Sequence, residues 1–260
     1  MSLNIGDALS AGAEKLTTSA GIQLSVIYVL LQLVIVLGTN SIVVAADTAA
    51  DTSAMTTPAL SLPIGVAGGA ALMTLGGVLS VAFTIVALRA LDHDTAELGS
   101  IPGGVTENMV KTWVFLVIAL IVEGIAVGLG FVALFIPGLF LLVSLIFTQV
   151  YVAVEGEGPF EALSSSWSLA KGNRFPLFGL GVVIFVISLL VSIPTTVVML
   201  FNPTAGTLLT YVVSGFVSIF SLGVMIDAYQ QLEGEAASTT TEPDDDDVER
   251  LDDDSGFDYA

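Results

Sequence analysis

Few residues in this chain are equipped for chemistry, and the most conspicuous is Glu123, a lone carboxyl in the apolar stretch IALIVEGIAVGLG. A charge at that depth is costly, so a carboxyl there faces a bundle interior and takes up a proton or binds a polar partner. Gln32 and Gln149 are amides in two other apolar runs. Counted at about 1.5 Å per residue, Gln32 reaches the depth of Glu123, and Gln149 sits about a turn from an inner end. Two readings follow for Gln32, Glu123 and Gln149. They form an intramembrane site for a proton or small polar solute, or a hydrogen-bonded packing brace of the kind common between membrane helices. A single acid without a basic partner, a relay of further acids or a broken-helix signature favours the brace.

Other chemistries lack their groups. The chain has no cysteine, which removes thiolate catalysis, disulfides and cysteine metal sites. His93, the single histidine, lies between Asp92 and Asp94 in LDHDTAEL. A metal site wants three or four converging ligands, so His93 reads as a solvated surface residue, and no metal or cofactor is expected. Asp92/Asp94 and Glu155/Glu157 read as solvated loop charges. The glycines of GGAALMTLGG lack the lysine and hydroxyl residue of a phosphate loop, and six scattered bases make no phosphate-binding patch, so neither nucleotide nor nucleic acid is expected. No catalytic residue is assigned, and no enzymatic activity is expected.

These residues are carried by a chain of 260 residues that is 54% hydrophobic and 12% charged, with mean hydropathy +0.91. Those values place it among integral membrane proteins. Its apolar residues gather into runs at 22–46, 60–88, 112–136, 137–154, 175–201 and 204–226. Each is near the roughly 20 residues needed to cross hydrocarbon as a helix, and lipid offers the backbone no partners, so an all-α bundle of six spans is predicted. The first run has no basic leader and reads as a retained span.

The bases Lys15, Arg89, Lys111, Lys171, Arg174 and Arg250 all fall before the first span, between the second and third, between the fourth and fifth, or after the sixth. Cationic residues near span ends stay on the inner side, so a multi-pass cell-membrane protein with both termini cytoplasmic is expected. The outer connections are short: DTAADTSAMTTPA at 47–59, and tight turns at FIPGLF and FNPTAG, with Pro137 and Gly138 expected to form the hairpin turn. Net charge is −19, and 12 of the 25 acids lie from Glu233 onward against Arg250 alone, so 233–260 is expected to be a disordered acidic tail. The acid excess resembles the proteome of a salt-accumulating archaeon, in composition only.

Between the fourth and fifth spans, Gly158-Pro159 starts a helix over about 159–172, with Glu161 in its first turn. Phe160, Leu163, Trp167 and Ala170 share one face, while Glu161, Ser164, Ser165 and Ser168 turn away. It is expected to lie along the cytoplasmic interface with Trp167 at head-group depth, as a structural elbow for the fifth span. DALS at 7–10 echoes EALS at 161–164, each ahead of a span leaving the same face, which supports an interfacial helix within 1–21, over about 3–18. Small residues form stripes at Gly65, Gly69, Gly76 and Ser80 and at Ser214, Ser218 and Ser221, suited to close packing within one bundle, with a homo-oligomer left open. Pro63 and Pro194 read as starts or kinks.

The stretch IPGLFLLVSLIFTQVYVAVEGEGPFEALSSSWSLAKGNRF resembles a prokaryotic membrane family. Its shared pattern is a Pro-Gly hairpin, a span, Glu-x-x-Gly-Pro, an Ala-Leu pair, Ser-Trp and Lys-Gly-Asn. The matching positions are Pro137, Gly138, Glu155, Gly158, Pro159, Ala162, Leu163, Ser166, Trp167, Lys171, Gly172 and Asn173. The stretch is similar to the membrane domain fused to some glycerophosphoryl diester phosphodiesterases and to stand-alone haloarchaeal relatives. The match covers 130–180 and elsewhere rests on the layout of spans. The fused enzyme's barrel would need about 250 further residues and its own metal ligands, so the activity is not carried over. The expectation is a non-enzymatic membrane scaffold or interaction module, with membrane lipids and other membrane proteins as partners. The alternative is a proton-coupled or small-solute transporter centred on Glu123.

Overall fold

The computed structural model describes residues 3–50 and 60–241, with side chains from 3 to 48 and 60 to 238. The chain folds as α1 (Ile5–Thr17), α2 (Ser19–Ala50), α3 (Gly65–Leu91), α4 (Met109–Ala133) and α5 (Phe135–Ser144). There follow α6 (Thr148–Val150), a π-helical turn (Tyr151–Glu155), α7 (Pro159–Ala170), α8 (Arg174–Phe201) and α9 (Pro203–Thr241). Among the described residues six helical segments are long and apolar enough to cross a membrane, and there is no strand. The fold is an all-α six-helix bundle.

Two ends are distinguished below: the basal end, which carries α1 and α7, and the distal end, which carries the turns after α4 and α8. The tightly packed core sits toward the basal end, where Leu24, Leu88, Leu91, Leu116, Phe147, Leu177, Ile226 and Tyr229 are buried together. Toward the distal end Val132, Leu200 and Phe201 are 80% exposed or more. Apolar exposure on that scale requires a hydrocarbon surround.

The α2–α3 hairpin closes through glycine. A Cβ on Gly69 would lie 2.7 Å from the Gly38 carbonyl oxygen, and one on Gly76 would lie 2.5 Å from the Ile35 side chain. Part of the small-residue stripe is therefore used inside the bundle. Gly65 is not, since it opens α3 at φ +67 with no atom near a Cβ.

Three expectations are corrected. The hairpin after α4 turns at Leu134 alone, which is extended (φ −163, ψ 147), and Pro137 and Gly138 fall inside α5. Pro137 is tolerated there because the first-turn N–H it lacks would have no intrahelical partner. Gly138 admits α4, because a Cβ on Gly130 would approach its Cα to 2.8 Å. The fourth span is not one helix but breaks after Ser144 and resumes through α6 and the π-helical turn. Finally, α9 runs to Thr241 and draws 233–241 out of the stretch expected to be disordered, in keeping with the helix-forming Glu and Ala residues there. The rest of the acidic tail, 242–260, and loop residues 51–59 lie outside the described residues.

Candidate functional site

The polar segment between the fourth and fifth spans forms one wall of a basal corner. Gly158 is extended (φ −66, ψ 158) and Pro159 opens α7 with its φ already set for a helix. The face of α7 buried against protein is Ala162, Ser166 and Ala170, not the aromatic face. Phe160 is 69% exposed and Trp167 37% exposed, so the two aromatics of the predicted apolar face look away from the core, while Ala170 of that face is buried. Ser166 gives this buried face a polar function. Its hydroxyl accepts from the Phe147 backbone N–H (3.1 Å) and donates to the Ser144 carbonyl (3.2 Å). Those are buried backbone groups freed where the fourth span breaks, and buried backbone groups without a helical partner must find one elsewhere in the protein.

Arg174, at the start of α8, is the charged group of this corner. Its Nε donates to Ser144 Oγ at 2.9 Å. Its guanidinium carbon lies 4.5 Å from the Phe140 ring centroid and 4.7 Å from that of Trp167. Those two rings meet edge to face at 5.5 Å. Arg174 Nη2 is buried and has no hydrogen-bond partner among the described residues. Beside it a groove of about 490 Å³ runs between α5 and α8, lined by Ile136, Leu139, Phe140, Val143, Phe175 and Phe178 with Gly172 and Arg174 at one end. It opens sideways, since Ile136 is 77% and Phe175 90% exposed. Motif residues Lys171, Gly172 (φ +96) and Asn173 make the turn that swings α8 into this position. Sequence reading placed Trp167 near this interface but missed Phe140, Ser144 and Arg174 as its neighbours. The available signal was a base directly after Lys-Gly-Asn, at the mouth of an aromatic-rich span.

Behind α7 a second set of contacts ties the π-helical turn to α9. Tyr229 donates to Glu155 Oε1 (3.1 Å), and Tyr151 approaches Glu233 Oε1 at 3.5 Å. Glu155 is thus a tether. Ser165 donates to Glu157 Oε1 at 3.1 Å. Burial pushes the Glu157 carboxyl upward from its ordinary range; the Ser165 bond opposes this, and the charges of Glu161, Glu155 and Glu233 add to it.

Basal cations act as caps. Lys15 Nζ reaches the Leu91 carbonyl at the end of α3 (2.6 Å), where burial lowers its pKa against the pull of Asp227, Asp92 and Asp94. His93 Nδ1 lies 2.9 Å from the Arg89 carbonyl, which can only accept, so the ring is held by α3 instead of standing free. The helix α1 is seated on α9 through Ala8, Gly12 and Lys15; a Cβ on Gly12 would collide with Val224. Ala8 and Gly12 occupy the register of Ala162 and Ser166 in the DALS/EALS echo, and all four are buried.

No hydrogen bond among the described residues joins Gln32, Glu123 and Gln149. All three are partly buried, and Glu123 Oε2 is buried without a partner. A separate cleft of about 280 Å³ between α2, α8 and α9 is lined by Ser188, Ser192, Thr195, Thr210, Ser214 and Ser218 among others, and not by Glu123. Four of those hydroxyls donate to carbonyls of their own helix. No group of three or more histidine or acidic side chains converges as a metal site among the described residues.

Six apolar helices with lipid-exposed flanks and a basal collar of short helices define a multi-pass all-α membrane protein. Residues 3–232 match the family described as a domain of unknown function, DUF7847, and the chain belongs to that family. Comparison with curated proteins and with solved structures gave no match.

Proposed function

We propose that the protein is a non-enzymatic membrane scaffold, a module that engages lipids and neighbouring membrane proteins through its basal corner, with both termini cytoplasmic. The observation that carries this reading is the sideways-opening apolar groove between α5 and α8, continuous with the uncovered aromatic face of α7. A site for a soluble substrate would present converging polar groups. This one presents hydrocarbon to the bilayer. The resemblance to the membrane domain of glycerophosphoryl diester phosphodiesterases supports the same reading, because there a membrane domain accompanies a separate soluble enzyme.

The second reading, a transporter centred on Glu123, draws on its partnerless buried oxygen. The broken fourth span would suit a transporter too, but its freed backbone groups are satisfied by Ser166 within the protein. Proteoliposomes loaded with a pH-sensitive dye separate the two. The scaffold reading expects proton flux no greater than in empty vesicles, unchanged by Glu123→Gln. Flux through the unmodified protein that Glu123→Gln abolishes would establish the transporter instead.

A further inference from the structure

We infer that the α5–α8 groove holds an acyl chain of an anionic phospholipid whose phosphate is bound by Arg174; this rests on the reading of the groove as lipid-facing. The groove extends along α5 from Val143 to Ile136, about 10 Å at 1.5 Å per residue, and among the described residues only α5, α8 and the turn before α8 line it. In a bilayer such a trough fills with hydrocarbon, since water there would leave apolar walls unpaired.

Seven of its eight lining residues present no polar side chain, and the eighth is Arg174. A chain lying in the groove therefore meets a single polar group, at the basal end, where head groups lie. The guanidinium is pre-set, with Nε clipped by Ser144 and its carbon held near the Phe140 and Trp167 rings. One charged donor, Nη2, is buried without a hydrogen-bond partner among the described residues, while Arg174 as a whole is only partly buried and lines the groove. An unpaired buried charged donor is costly, and an anionic oxygen is the acceptor that best relieves it. Lys171, exposed at the same turn, adds a second cation on a chain with only six bases. Charge complementarity thus selects an anionic over a zwitterionic lipid. The chain's own acidic tail, rich in aspartate and poor in apolar residues, fits the cation but not the trough.

Trp167 does not line the groove but packs against Phe140 and Arg174, which do, so it reports on the groove's basal end. The chain has two tryptophans, so Trp113→Phe leaves Trp167 as the sole tryptophan, excited apart from the tyrosines at the red edge of the absorption band. The protein is reconstituted in phosphatidylcholine vesicles carrying either brominated phosphatidylglycerol or brominated phosphatidylcholine as quencher. Half-quenching is expected at a roughly tenfold lower mole fraction of the anionic lipid, the worth of about one charge-assisted hydrogen bond. Arg174→Gln removes that preference while quenching by both lipids persists, and Arg174→Lys keeps part of it. Trp113, read alone in a Trp167→Phe protein, shows no preference. Equal quenching of Trp167 by both lipids overturns the phosphate site but leaves the lipid-facing groove standing. Quenching by neither means that protein covers the groove, and overturns both. If Arg174→Gln fails to fold, the comparison of the two lipids on the Trp113→Phe protein still decides the question.

Discussion

Arg89 holds more of the basal end together than any other side chain described. Its guanidinium donates to the Ala153, Val105 and Glu107 carbonyls at 2.5, 3.0 and 2.7 Å and to Thr112 Oγ1 at 3.0 Å, joining α3, the π-helical turn, the loop before α4 and α4 itself. Arg89→Ala strands four acceptors and is expected to cost about 3 kcal/mol, the loss of several charge-assisted bonds partly recovered by water. Arg89→Lys recovers less than half, because an ammonium lacks the planar fork that reaches all four. Chemical unfolding in detergent measures both; equal stability of Arg89→Ala and the parent protein refutes the brace. From sequence, Arg89 and Arg174 were legible only as charges that fix orientation. Their partners lie 16 to 64 residues away, and no local pattern marks which carbonyl or hydroxyl will arrive beside them.

At the scale of elements, the bundle is assembled by glycine contacts and by backbone repair. The α2–α3 contact at Gly38 and Gly69 meets backbone to backbone, so no side chain can yield to make room. Gly69→Ala is expected to destabilise the hairpin by about 1–3 kcal/mol through overpacking. Gly77→Ala on the same helix meets no atom within 4 Å and is expected to be neutral or slightly stabilising. Thermal unfolding of the two variants checks the contrast, and equal midpoints contradict it. The stripe of small residues showed that close packing occurs on the second span. It did not show the partner. The break in the fourth span escaped sequence reading altogether, since LLVSLIFTQVYVAV contains no proline or glycine. It is stabilised by α7, whose Ser166 takes up two of the backbone groups that a continuous helix would pair within itself.

Across the whole molecule, the buried core is concentrated at the basal end, while the distal half packs through the glycine contacts of α2–α3 and α4–α5 and exposes much of its remaining apolar surface. The 39 residues of α9 extend about 58 Å, well beyond a ~30 Å hydrocarbon layer, and carry Tyr229 and Glu233 to the collar. Orientation is open to direct measurement because the chain has no cysteine. A single cysteine at Thr204, exposed at the distal turn, is expected to react with a membrane-impermeant maleimide on intact cells. One at Ser168, exposed on α7, is expected to react only after lysis. The reverse pattern inverts the proposed topology, and labelling of both on intact cells refutes α8 as a membrane crossing.

The sequence by itself determined the solvent, the helical class and the number of spans, because hydrocarbon leaves the backbone no alternative to helices and the runs have the length to cross it. It also located α7 through Gly158-Pro159, and α1 through the shared Ala-Leu-Ser stretch. Only the tertiary structure decided which face of each helix meets protein, where the fourth span breaks and how Arg174 comes to lie against Phe140, Trp167 and Ser144. The reason is physical: a helix apolar on all sides carries no stripe to tell neighbour from lipid, so its contacts are chosen by shape and hydrogen bonding across distant parts of the chain.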